Sequence, residues 1–106
     1  MKIDFVGKKA IMASEKHFNG ELNEDMMSLL VSKVIRNATH VGQSDRSNGS
    51  HSPAKIVWGD YNNRTYAVVL DTNNIKKGIA TVISFYDINE NTREAKAIRF
   101  GMKKVR

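Results

Sequence analysis

The segment AKIVWGDYNNRTYAVVLDTNNIKKGIATVISFYDI, residues 54–88, decides the fold. Its short runs AKIVWG, TYAVVLD and IATVISFYDI are rich in Val, Ile and aromatic residues, and DYNNR and TNNIKKG separate them. Consecutive strands joined by hairpins have this grammar. A further polar turn, NENTRE, and a further run, AKAIRFGMKKVR, follow. The pattern therefore predicts an antiparallel sheet of about four strands over residues 54–102. Side chains alternate along a strand, so Ala80, Val82, Ser84 and Tyr86 are expected on one face and Ile79, Thr81, Ile83 and Phe85 on the other. The second set is apolar except for Thr81. The first ends in a hydroxyl pair, Ser84 and Tyr86, where polar chemistry could be displayed.

Upstream the hydrophobic period changes to that of helices, over about residues 8–36. In KKAIMASEKHF, from Lys8, the residues Ile11, Met12 and Phe18 fall on one helical face, with Phe5 and Val6 as a lead-in and Gly20 as the stop. Asn23 is placed to cap a second helix, with Glu24 and Asp25 in its first turn, where carboxylates complement the helix dipole. Met26, Met27, Leu29, Leu30 and Val34 form its apolar face, and Asn37 ends it. Residues 37–53, NATHVGQSDRSNGSHSP, are rich in Ser, Asn and Gly and predict a long mobile loop, of a length that is usually functional or disordered. Two helices followed by a meander give an α+β domain, with two N-terminal helices packed on a C-terminal antiparallel sheet and the other sheet face at least partly open.

All 106 residues are expected to form one domain, because neither flank of the loop is large enough to fold alone. Without cysteine there is no disulfide framework, thiolate zinc site or cysteine nucleophile. No apolar run approaches the roughly 18–20 residues that span a bilayer, and the N-terminus lacks the apolar stretch of a signal peptide, so a soluble chain without a membrane role is expected. The net charge is +6, with 17 basic against 11 acidic residues. It is unevenly placed: residues 1–53 hold 7 basic and 6 acidic side chains, and residues 54–106 hold 10 and 5. A basic field of this kind attracts a polyanion such as a phosphate backbone.

There is no Gly-rich phosphate loop, H-E-x-x-H, EF-hand loop or G-x-S-x-G, which argues against nucleotide hydrolysis, zinc peptidase chemistry, calcium sensing and the α/β-hydrolase mechanism. His17, His40 and His51 are too scattered to propose a metal site, and no cofactor is predicted. The polar inventory does suit metal-independent cleavage of RNA. There the ribose 2′-hydroxyl is the nucleophile, and the protein supplies proton transfer and charge stabilisation.

A first helix carrying Lys16 and His17, a second amphipathic helix, a polar loop, and a sheet whose third run ends in hydroxyl-x-Tyr (Ser84, Phe85, Tyr86) together resemble the barnase, EndoU, colicin and RelE-like nuclease superfamily. The nearest branch comprises the toxin domains of phage-encoded and contact-dependent or polymorphic toxin systems. This resemblance implies an endoribonuclease, with tRNA among its possible substrates, that leaves a 2′,3′-cyclic phosphate and a 5′-hydroxyl. It implicates His17 as general acid or base and Ser84 and Tyr86 at the scissile phosphate. Many relatives have Thr where this chain has Ser84, so the hydroxyl is kept. Arg46, Lys55 and Arg64 are the candidate substrate-binding cations. The resemblance also implies a cytoplasmic site of action, delivery into a target cell as part of a larger toxin, and an acidic cognate immunity or antitoxin protein.

The same residues admit structural roles. His17 could simply complement its helix dipole, Ser84 fill tight packing and Tyr86 be a half-buried aromatic. Trp58, Tyr61 and Tyr66 suit either base stacking or a core, His40 and His51 suit an exposed loop, and Lys103, Lys104 and Arg106 suit either a phosphate-tracking tail or a frayed end. The rival functions are a non-catalytic basic module that binds nucleic acid or protein, and an accessory phage protein that binds a host enzyme.

Overall fold

The computed structural model describes residues 2–47, 53–99 and 101–105. Along the chain run β1 (Lys2–Phe5), α1 (Lys9–Phe18), α2 (Glu24–Arg36), β2 (Ala38–Ser47), β3 (Pro53–Tyr61), β4 (Arg64–Asp71), β5 (Ile79–Asp87), α3 (Glu90–Arg99) and β6 (Lys103–Lys104), with a short 3₁₀ turn at Ile75–Lys77. The six strands form one sheet in the order β1-β5-β4-β3-β2-β6. Strands β2 to β5 are an antiparallel meander, β6 joins β2 antiparallel, and β1 lies parallel to β5. The α+β class and the helix pair over one face follow the sequence expectation, while the sheet is larger and mixed.

On the first face, α1 and α2 cover a core of Phe5, Met27, Leu30, Val31, Val34, Val68, Val82 and Phe85. Asn23 caps α2 as the sequence predicts, its side chain accepting from the Met26 N–H at 2.9 Å, and Asn37 follows its last turn. The buried stripe of α2 is Met27, Leu30, Val31 and Val34; Met26 and Leu29 face solvent instead. Between the helices, the buried Ser14 hydroxyl donates to the Leu22 carbonyl at 2.6 Å and accepts from its N–H at 3.1 Å, so the turn is clasped with no polar atom left unpaired there. Helix α2 meets β3 at Gly59, where an added Cβ would collide with the Val34 carbonyl.

The second face carries a smaller core of Ala54, Ile56, Trp58, Ala67, Val69 and Ile88, against which Ala97 of α3 and Met102 pack. Trp58 is wholly buried, and Tyr66 lies in the first core. These positions exclude the base-stacking alternative for both residues.

Four sequence expectations are corrected. Phe5 belongs to a strand rather than to a helix lead-in, since β1 finds its partner in residues 79–82, far along the chain. Much of the expected 37–53 loop is β2, which pairs His40 with Trp58 and Val41 with Val57. Its polar composition hid it, because it is covered on its outer side only by the two-residue β6. That pairing also places Lys103 and Lys104 in a strand rather than a frayed tail. The stretch expected as turn and fourth strand is α3. Asn89 opens it, accepting from the Asn91 N–H through its side chain at 2.9 Å and from the Thr92 N–H through its carbonyl at 3.1 Å, and Gly101, at φ 57°, follows its end. Lastly, β5 has a register shift: Leu70 opposes Val82 while Val69 opposes Ser84. The extra residue reverses the alternation, so Ala80 and Val82 share the first core with Phe85, and Ile83 joins Tyr86 at the second.

Candidate functional site

Strand β1 stops opposite Val82, and one more backbone bond, Val6 N–H to the Val82 carbonyl at 3.0 Å, closes the pairing. Gly7, at φ 55°, then turns the chain into α1. Beyond Val82, β5 therefore has no strand on its outer side among the described residues. A cleft of about 960 Å³ wraps around this bare edge, with α1 on one side and α3 on the other.

Lys9, Met12, Ala13, Lys16 and His17, spaced as one helical stripe, form the α1 wall. Ser84 and Tyr86 line the cleft from the second sheet face, where they oppose Val69 and Ala67, and Lys96 and Arg99 of α3 close it. The Lys96 ammonium lies 5.9 Å from the Tyr86 ring centroid. Four lining side chains are cations and one, Glu15, is a carboxylate.

His17 is held rather than loose. Its Nδ1 lies 3.2 Å from Asp87 Oδ1, and the imidazole is 15% exposed. Arg64 Nη1 stands 4.0 Å from the other Asp87 oxygen. Asp87 comes from the end of β5, on the same face as Phe85's aromatic neighbour Tyr66, which it opposes across the β4–β5 ladder. Phe18 stacks near both Tyr66 and Phe85 at centroid distances of 6.0 and 6.4 Å, anchoring the C-terminal turn of α1. An imidazole whose Nδ1–H donates to a carboxylate keeps Nε2 for proton exchange with a substrate.

The structure thus brings His17, Ser84 and Tyr86 to one cleft, His17 from the first face of the sheet and the two hydroxyls from the second. Arg64 reaches the site through Asp87. Lys55 does not line it; it is exposed on β3 opposite Leu70. Arg46 belongs to β2, but its side chain, like all of His51, lies outside the described residues. His40 sits at the opposite part of the sheet, its ring tilted against Trp58 at 5.4 Å and its Nδ1 3.0 Å from Thr39 Oγ1.

Lys9, Glu15, Lys96, Arg99 and Asp87 are members of the site that the sequence pattern did not single out. For Lys96 and Arg99 the signal was present as the Asn89 cap and the Gly101 stop, which mark α3 and its basic last turn. For Asp87 no local signal exists. Among the described residues, no group of three or more His, Asp or Glu is placed to hold a metal ion, and no helix is long and apolar enough to cross a membrane. No protein-family model, curated protein or solved structure matches this chain.

Proposed function

We propose that the edge cleft binds the backbone of RNA and cleaves it as an endoribonuclease of the kind the sequence resembles. The observation that carries this reading is the His17–Asp87 pair on the wall of a cleft lined by four cations. A general base takes the proton of the ribose 2′-hydroxyl, whose oxygen attacks the adjacent phosphorus. The bond from phosphorus to the 5′-oxygen breaks, and a general acid protonates that oxygen, leaving a 2′,3′-cyclic phosphate and a 5′-hydroxyl. His17 fills one of these roles through Nε2, with Asp87 fixing its tautomer, and Glu15 is the cleft carboxylate that supplies the other. Ser84 and Tyr86 donate to the non-bridging oxygens, while Lys9, Lys16, Lys96 and Arg99 offset the charge that builds on the phosphorane.

Incubating the purified protein with total RNA in EDTA tests this. The wild type is expected to yield fragments with 2′,3′-cyclic phosphate ends, and His17→Ala to slow cleavage by about 10²–10⁴-fold, the usual contribution of a positioned acid or base. RNA left intact by the wild type at high protein concentration would reject the nuclease.

A further inference from the structure

The same cleft holds an unfinished sheet, and we infer that the outer edge of β5 over residues 83–87 is a docking rail for an extended acidic segment of a protein partner, which adds to the sheet where β1 ends. The inference rests on the edge and its walls, and it stands whether or not RNA is cut there.

The edge is a consequence of length. Strand β1 has four residues and β5 has nine, with β1 matched only to residues 79–82, so the C-terminal part of β5 continues past its neighbour. Five residues of edge extend about 17 Å at the usual rise of a strand. An unpaired edge is a template for main-chain pairing with another chain, the mode in which an extended peptide gains affinity from backbone hydrogen bonds. Proteins commonly hide such edges beneath a helix or loop. Here α1 and α3 stand to either side and leave the cleft between them, with Val82, Ser84, Phe85 and Tyr86 all lining it.

The walls select the occupant. Side chains of an added strand point alternately to the two faces of the sheet. Toward the first face they meet Lys9 and Lys16 of α1, and toward the second they meet Lys96 and Arg99 of α3. Both parities therefore favour acidic residues, in either strand direction and in either register. Met12, 56% exposed between Lys9 and Lys16 along α1, offers one apolar contact within the basic wall. A second copy of this chain is disfavoured as the occupant, because edge-to-edge pairing would set these cations against the same cations of the other copy. A partner seated on the rail would fill the cleft and exclude any other polyanion from it.

The test is an amide NMR titration of the whole isotope-labelled protein with an acidic octapeptide of alternating Glu and Val. In parallel, the same peptide is titrated with alternate backbone nitrogens methylated, prepared in both phases. The expected result is perturbation centred on the amides of residues 83–87, weakening by about tenfold or more on methylation in the phase that removes the pairing donors. Lys96→Glu and Lys9→Glu, exchanges at positions on helix surfaces, should each weaken binding of the unmethylated peptide while leaving the rest of the amide spectrum in place. Equal binding of all three peptides would show that the cleft reads charge alone, as it would for RNA, and would overturn the inference. So would perturbations that map away from β5, or none at about 1 mM peptide.

Discussion

The two faces of the sheet are built on different terms. On the first, α2 lays four fully or almost fully buried side chains into a core that also takes in Phe5, Val82 and an aromatic cluster. On the second, α3 contributes Ala97 as its packed residue, and Ile98 of the same helix stands 80% exposed. Helix α2 is held by burial. Helix α3 depends on its own propensity and on its covalent ties to β5 and β6. The cleft lies where these regimes meet, one wall from a helix locked into the main core and the other from a helix resting lightly on the sheet. A site built in this way keeps His17 and Asp87 fixed while allowing the Lys96 and Arg99 wall to adjust around an extended ligand.

Three measurements bear on this contrast, beginning with the largest effect. Met27→Ala empties a fully buried position on the first face and is expected to cost about 2–5 kcal/mol in chemical denaturation, read as a lowered midpoint with an unchanged slope. Ala97→Gly, in the lightly packed helix, is expected to cost only about 1 kcal/mol, most of it helix propensity. Equal costs for the two substitutions would show that α3 is as firmly packed as α2 and would remove the asymmetry.

The smallest effect concerns His40, on the α3 side of the sheet. Its pKa lies below the ordinary 6.5, first because of burial and then because Arg93 and Lys104 are close, with Glu94 and Asp60 opposing them. The unfolded chain therefore takes up this proton at a higher pH than the folded chain does. The stability His40 confers is complete above about pH 6.5 and declines as the pH falls through its lowered folded value. His40→Asn should flatten that part of the curve of melting temperature against pH. An unchanged slope would mean that the second face does not hold the neutral ring.

Legibility in the sequence followed the same division. The second helix was readable from its Asn23 cap to Asn37, because local capping and a 3.6-residue apolar period act within a few turns. Strands β3, β4 and β5 were readable because β-branched runs and the Asn62–Asn63 turn, both residues at positive φ, are also local. Strands β1, β2 and β6 were not, since each owes its conformation to a partner strand rather than to its own composition. The register shift in β5 was equally hidden, and it decided which face holds Ser84 and Tyr86.

Of the candidate site, the sequence by itself determined the chemistry available: a histidine at the end of the first helix, a hydroxyl-x-Tyr strand and a basic excess, with no cysteine. These are properties of side-chain type and near-neighbour spacing. Only the tertiary structure decided that Asp87 meets His17 from 70 residues away, that Lys96 and Arg99 belong to a helix facing α1, and that β1 ends early enough to leave an edge open between them. Each of these depends on which strand lies beside which, and strand neighbours are chosen by the packing of the whole chain rather than by any one segment of it.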